Sequence, residues 1–238
     1  MKNLILIGIA ALLTCGCARK NNSGKEAQLN YQMALTDSIA KVTDEIDSCR
    51  VAAGTLSEQV DALLRDFTSV NNSREVEGYM IFNGWQNRYP LQKTGVVARL
   101  NASERIELVA ALSNGVFDQI RIITPTETAE TSVVVHDQAL NYRRDGLTTV
   151  LFSGEKAESV ASLIADNELN PLTVVFLNGG RETGKWKIPE DYAKMISMTS
   201  MLSTARNNQM KMERQSVLLG EKLKLLRRHQ EESKGDSI

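Results

Sequence analysis

The stretch LTDSIAKVTDEIDSCRVAAGTLSEQVDALLRDF, residues 35–67, places apolar side chains at alternating spacings of four and three residues. The apolar positions are Leu35, Ile39, Val42, Ile46, Cys49, Ala53, Leu56, Val60, Leu63 and Phe67. Such spacing is typical of the seam of a left-handed coiled coil. The sequence therefore predicts a coiled-coil helix over residues 26–72, which ends in the polar run at residues 71–73.

A second heptad repeat lies near the other end of the chain. Its seam is formed by Met195, Met198, Leu202, Ala205, Gln209, Met212, Ser216, Leu219, Leu223 and Leu226. Pro189 suits a first helical position, and the acidic Glu190 that follows complements the helix dipole. We therefore expect a helix over residues 189–231 and a disordered tail over residues 232–238.

Two helices of similar length that flank a central segment are most simply paired as an antiparallel coiled coil. An intramolecular pair of this kind loses no translational entropy on association. Two independent amphipathic helices that lie on a β domain are one alternative. Parallel dimerisation through either seam is another, and it would make the protein a homo-oligomer.

Between these helices, over residues 73–188, the apolar period changes to two, which is typical of strands. The predicted strands cover residues 78–82, 95–99, 105–108, 120–122, 133–135, 147–152 and 172–177. Residues 153–167 predict a short amphipathic helix, and Asn114-Gly115 is a type I′ hairpin signal. The predicted fold class is α+β, with an antiparallel β barrel or sandwich inserted between the two long helices.

The first residues of the chain carry an export signal. Lys2 precedes an apolar run at residues 4–13, which is too short to span a membrane and is typical of a signal peptide. Cys17 follows a small residue, Gly16, whereas Cys15 follows the β-branched Thr14. Residues 17–25 suit a short flexible tether, because residues 18–25 are polar or small.

The run Leu13-Thr14-Cys15-Gly16-Cys17 resembles the lipobox of bacterial lipoproteins processed by signal peptidase II. The resemblance implies that residues 1–16 are the signal peptide and that Cys17 is diacylated and N-acylated, so that the protein is held on a membrane by its N-terminal lipid. It also implies that Ala18 in place of Asp favours the outer membrane, and that the lack of an acidic run after Cys17 favours the face toward the periplasm. An ordinary secretory signal with an incidental cysteine is the alternative. As a whole, the chain resembles uncharacterised small lipoproteins of Gram-negative envelopes.

Composition argues against a nucleic-acid partner and against an internal disulfide. The 238-residue chain has a formal net charge of -1, which gives no broad basic field for nucleic acid. Cys49 is the single thiol left after removal of the signal peptide and acylation of Cys17. It has no second cysteine with which to form an internal disulfide.

Two segments that combine aromatic, amide and guanidinium side chains indicate a binding surface. The first, at residues 83–89, contributes Trp85, Arg88 and Tyr89, and the second, at residues 141–145, contributes Tyr142, Arg143 and Arg144. Such combinations suit the recognition of a glycan or of an envelope protein. The alternative for Trp85 is that its ring closes one end of a barrel.

His136 beside Asp137 is the strongest candidate for a base or a metal ligand. The only other histidine, His229, lies far away in sequence, so spacing assembles neither a metal site nor a catalytic set. We include His136 in the candidate binding surface.

Residues 179–185 copy the glycine and lysine spacing of a phosphate-binding loop, but Trp186 stands where that loop needs Ser or Thr. A hairpin explains these glycines better, and no cofactor is predicted.

The sequence thus predicts a membrane-anchored envelope lipoprotein, not an enzyme, in which a helical stalk presents a small β domain for binding or scaffolding. The alternative is a periplasmic small-ligand or glycan-binding protein, or a hydrolase, that uses the β domain around His136.

Overall fold

The computed structural model describes residues 23–71 and 78–235. Over these residues the chain is α+β, with one long helix before and one long helix after the β region in sequence. The elements are α1 (Ser23–Leu64), β1 (Phe67–Val70), β2 (Tyr79–Phe82), β3 (Gly95–Leu100), β4 (Ile106–Ser113), β5 (Gln119–Ile123), β6 (Thr128–Glu130), β7 (Asn141–Arg144), β8 (Leu147–Phe152), α2 (Glu155–Asp166), β9 (Thr173–Asn178), β10 (Arg181–Lys187) and α3 (Glu190–Gly235). The predicted α+β class and the two flanking helices are confirmed.

The strands form two antiparallel sheets. The first sheet has the order β1-β2-β3-β4-β8-β7, and the second has the order β10-β9-β5-β6. Each sheet is open, with one edge strand on each side. The predicted closed barrel, one of the two forms proposed for the β domain, is therefore wrong. Phe117 lies between β4 and β5 in sequence. Its ring centroid is 6.4 Å from that of Phe152 in the first sheet and 4.9 Å from that of Phe176 in the second.

The centre of the first sheet is buried on both faces. All six residues of β3 are buried, and so are Ile106 and the run from Leu108 to Leu112 in β4. Each large apolar side chain buried in this way contributes about 1.5–3 kcal/mol. Arg99 is the charged exception within β3, and its position matters for the candidate site.

By internal contacts the chain divides into two compact units, residues 1–44 with 220–238 and residues 45–219. In the described part of the first unit, Gln28 Nε2 donates to the Ser233 carbonyl at 3.4 Å. Gln230 Nε2 donates to Thr36 Oγ1 at 3.1 Å. The start of α1 and the end of α3 are therefore neighbours in the first unit.

In the second unit the same two helices contribute to the core of the β region. Val60 of α1, together with Met195 and Leu202 of α3, belongs to one cluster with the buried strand residues. The backbone N–H of Ala98 also donates to Met195 Sδ at 3.3 Å. In this unit both helices therefore pack on the β core.

The predicted heptad positions within both helices are all buried or half-buried. Leu35, Val42, Ile46, Cys49 and Val60 are buried, and the other predicted seam positions in α1 are half-buried. In α3, Met195, Leu202 and Ala205 are buried, Met198 and the seam positions from residue 209 to 226 are half-buried, and Gln230 and Ser233 continue the seam. Between residues 195 and 205, non-seam residues such as Ser197 and Thr199 are buried as well, so this part of α3 is covered on more than one face.

The boundaries of the helices differ from those predicted. Helix α1 ends at Leu64, and residues 67–70 form β1, because Phe67 packs edge-on against Phe82 across the β1–β2 pair at 5.7 Å. Helix α1 starts at Ser23, within the predicted tether, and α3 continues to Gly235, through most of the predicted tail. Residues 1–22 and 236–238 lie outside the described residues.

Two strand predictions are wrong. Residues 133–135 form no strand. Asn114-Gly115 does not close a hairpin, because β4 and β5 belong to different sheets and the Asn114 N–H instead donates to the Gly146 carbonyl at 2.8 Å. Conversely, the β9–β10 hairpin is confirmed, with Gly179 and Gly180 at positive φ in its turn.

A groove on the first sheet as the candidate functional site

One face of the first sheet forms a groove of about 1050 Å³. Side chains of β2, β3, β4, β8 and β7 form its floor, and the segments at residues 89–92 and 138–140 form its rims. The aromatic and charged residues that line it include Tyr79, Tyr89, Arg99, Glu107, Tyr142 and Arg144. The groove lies entirely within the second unit.

Strand register places these side chains on one face. Residues paired across an antiparallel ladder point to the same side of the sheet. Arg99 is paired with Glu107 across β3 and β4, and Tyr142 with Thr149 across β7 and β8. Residues far apart in sequence therefore meet on one surface.

The floor contains a buried ion pair. Arg99 Nε donates to Glu107 Oε2 at 2.9 Å, and the two side chains are only 9% and 12% exposed. The Arg99 guanidinium lies 4.7 Å from the Tyr79 ring and 5.6 Å from the Tyr89 ring, and its Nη1 donates to Tyr89 Oη at 3.0 Å. Asn101 Nδ2 donates to the other carboxylate oxygen of Glu107 at 3.2 Å. Both charges are thus held by partners on several sides.

A carboxylate-centred turn supports the rim at residues 138–140. Asp137 Oδ1 accepts from the backbone N–H groups of Leu140 at 2.5 Å and Ala139 at 2.7 Å. These hydrogen bonds lower the pKa of the Asp137 carboxyl below its usual value, with the larger effect from Leu140 and the smaller from Ala139. The nearby His136 lowers this pKa further. The rim is therefore held in place by an ionised side chain.

Three of the predicted surface residues line the groove: Tyr89, Tyr142 and Arg144. Tyr89 comes from the turns before β3. The other two belong to strand β7, which is not among the strands predicted from the sequence. The two aromatic segments singled out in the sequence thus converge on one site.

The remaining predicted surface residues lie elsewhere. Trp85 is 5% exposed and packs edge-on against Tyr192 at 4.5 Å. Arg88 stacks on the Trp85 ring at 4.8 Å and pairs with Asp191 at 2.6 Å. Burial, followed by the Asp191 charge, raises the pKa of Tyr192, while Arg88 opposes that shift. This group is a packing cluster at the start of α3.

Arg143 and His136 do not line the groove. Arg143 is paired with the buried Thr148 and points to the face opposite Tyr142. His136 is exposed in the segment before β7. In residues 23–71 and 78–235, no group of three His, Cys, Asp or Glu side chains could hold a metal ion. Cys17 lies outside the described residues.

Sequence reasoning missed the floor residues Tyr79, Arg99 and Glu107. A signal was present, because Arg99 and Glu107 interrupt two otherwise apolar strands. The turn between them is closed by Asn101, whose Oδ1 accepts from the backbone N–H groups of Ser103 and Arg105 at 3.0 Å each. A β-hairpin whose turn starts at Asn101 pairs Arg99 with Glu107.

A second, more open depression of about 530 Å³ lies between β6 and α2. Its lining includes Glu127, Glu155, Glu158 and Asp166. Arg105 Nη2 pairs with Glu158 Oε1 at 2.6 Å. The depression offers carboxylates without aromatic surface, so the groove on the first sheet is the stronger candidate site.

Comparison of the chain with protein-family models, with curated proteins and with solved structures finds no match. None of the helices among the described residues is both long enough and apolar enough to cross a bilayer.

The Arg99–Glu107 pair predicts strong coupling between two substitutions. Arg99→Met should destabilise the protein by about 3–5 kcal/mol, because it leaves Glu107 buried without its partner. The double variant Arg99→Met/Glu107→Leu should lose much less than the sum of the single variants. Urea denaturation measures all three, and exposed Arg143→Met, expected within about 0.5 kcal/mol of the parent, is the control. Additive losses would contradict this account of the floor.

The Asp137 turn predicts an acid-dependent rim. Because its folded-state pKa is lowered, the carboxylate stabilises the rim above the usual pKa of 3.8, and this contribution is lost as the pH falls through the lowered value. The amide proton resonances of Ala139 and Leu140 should titrate with a midpoint below 3.8 in NMR spectra. In Asp137→Asn this titration should be absent, and a midpoint above 3.8 in the parent would show that the turn does not hold the ionised form.

Proposed function

We propose that this protein is an exported lipoprotein, acylated on Cys17, that acts as a non-enzymatic binding module of the cell envelope. The lipobox-like run at residues 13–17 supports the anchor, Ala18 favours the outer membrane, and the lack of an acidic run after Cys17 favours the periplasmic face. Two or more acyl chains suffice for stable anchoring. The partner is an envelope protein or a glycan.

The single observation that carries the binding role is the groove on the first sheet. It combines three tyrosines with a fixed ion pair and with the side-chain amides of Gln92 and Gln138 on its rims, over strands β3, β4 and β8 that are paired in that order. Concave sites with aromatic side chains and a few placed polar groups are typical of ligand recognition. Because the Arg99 charge is held from several sides, the floor needs no rearrangement to receive a ligand.

The alternative function around His136 is a periplasmic small-ligand or glycan-binding protein or a hydrolase, and only the hydrolase needs His136 as a catalytic group. That histidine is exposed and is not among the groove-lining side chains. The groove carboxylate Glu107 is engaged by Arg99 and Asn101. The binding role therefore has more support than a catalytic one.

We further propose that α1 and α3 pair as an antiparallel coiled coil, which forms the stalk between the lipid anchor and the β region. Helices α1 and α3 have 42 and 46 residues, and the predicted seam positions within them are buried or half-buried. Gln230 and Ser233 continue the seam of α3 and both bond to residues of α1. These contacts support pairing within one chain over parallel dimerisation.

The anchor is tested by substituting its cysteine. In Cys17→Ser, radiolabelled palmitate should no longer enter the protein, and the chain should retain its signal peptide, because the acyl acceptor is gone. Cys15→Ser is the matched control and should be labelled and processed as the parent is. Sucrose-gradient fractionation should place the parent with the outer membrane. A Cys17→Ser protein that matures and localises like the parent would refute the anchor.

The stalk is tested by crosslinking within the first unit. In a Cys49→Ala background, Thr36→Cys/Gln230→Cys should react with a short bifunctional maleimide to give a crosslinked monomer on denaturing gels. The pair Ser38→Cys/Gln230→Cys should react far less, because position 38 lies about 200° around the helix from position 36. A crosslinked dimer in place of the monomer would favour self-assembly through the seams.

A further inference from the structure

We propose that the groove on the first sheet binds a neutral oligosaccharide. This inference rests on the proposed role as a binding module and names the class of its ligand. It is carried by three features of the groove: the balance of its charges, the exposed ring of Tyr142, and the position of the site on the face of the sheet.

The charges that line the groove balance. Among its described residues are two cations, Arg99 and Arg144, and two anions, Glu107 and Asp145. Arg99 is paired with Glu107 at 2.9 Å, and Arg144 Nε lies 3.4 Å from Asp145 Oδ2. Each cation thus has a carboxylate neighbour, and the site favours a ligand without net charge.

The side chains match the chemistry of a sugar. A pyranose ring offers apolar C–H faces to an aromatic ring, and its hydroxyls both donate and accept hydrogen bonds. Tyr142 is 38% exposed on the groove and lies opposite Thr149, so one ring is available for stacking. The rims add the amides of Gln92 and Gln138, each able to donate and accept. The volume, about 1050 Å³, is at the upper end of the usual range for small-ligand sites, which favours several sugar units over one.

The position of the groove disfavours an extended peptide. Peptides that bind to sheets usually add a strand at an edge, where backbone groups are unpaired. The central floor strands β4 and β8 are paired on both sides over most of their length, and β3 is paired with β4 along its length and with β2 at Met80–Leu100, so most of this backbone is already bonded. A peptide on this face would leave its own N–H and C=O groups to side chains alone. An acyl chain is disfavoured by the ion pair in the floor.

The test uses the mature lipidated protein in detergent. Isothermal titration calorimetry is performed with a panel of neutral hexasaccharides, namely α- and β-linked glucans, mannan, xylan and chitin fragments. An oligogalacturonate serves as the acidic comparator, and a mixture of unstructured peptides as the peptide comparator. We expect at least one neutral oligosaccharide to bind, and the acidic one to bind at least about tenfold more weakly.

Substitutions at β7 connect the binding to the groove. Tyr142→Ala should weaken the binding by at least about tenfold, because the stacking surface is lost. Tyr142→Phe keeps the ring and should stay within about threefold of the parent. Arg143→Ala is the matched control on the same strand and should bind as the parent does. Unchanged circular dichroism and thermal melting confirm that each variant is folded.

Two kinds of result would overturn the inference. The first is no binding across the neutral panel, or binding that Tyr142→Ala leaves unchanged. The second is peptide or acidic-sugar binding that depends on Tyr142 when neutral sugars do not bind. This second result would leave the binding-module role standing and remove only the ligand class. Failure of the lipid anchor is detected separately, by palmitate labelling of Cys17.

Discussion

The pairing of β3 with β4 fixes most of what is distinctive in this protein. Their register sets Arg99 opposite Glu107 inside a sheet whose other central residues are apolar. A slip of one strand by one residue would place Arg99 and Glu107 on opposite faces of the sheet, and the displaced charge would lie in the apolar core without its partner. The ion pair therefore specifies the register as well as the floor of the groove. The apolar residues of the opposite face gain their burial from the same register.

The strand order of the first sheet then completes the site. Because β8 and β7 follow β4 in that order, Tyr142 and Arg144 lie on the same face as Arg99 although more than forty residues separate them in sequence. Tyr89 approaches from the other rim and bonds to Arg99. The groove is thus assembled from one continuous sheet face and two short segments. Its polar groups are largely held by one another, which is the condition for binding without a large ordering cost.

The two long helices combine two environments along one heptad pattern. In the second unit, Val60, Met195 and Leu202 pack with the β core. In the first unit, the described parts of the same helices contact one another through Gln28, Thr36, Gln230 and Ser233. A heptad seam specifies only which stripe of a helix is covered. It does not specify whether a helix or a sheet covers that stripe.

The sequence by itself determined the features that depend on local periodicity. These are the two helices with their buried stripes, most of the core strands, α2 and the β9–β10 hairpin, because spacing in the chain directly sets the face on which a side chain lies. Tertiary structure alone decided the ends of the helices, the separation of β4 from β5, and the groove. Phe67 continues the heptad pattern yet belongs to β1, because Phe82 lies opposite it in β2. Trp85 and Tyr89 are aromatic residues of the same short segment, yet only Tyr89 lines the groove. Such outcomes depend on which distant strand becomes a neighbour, and one chain's local pattern carries no information about that partner.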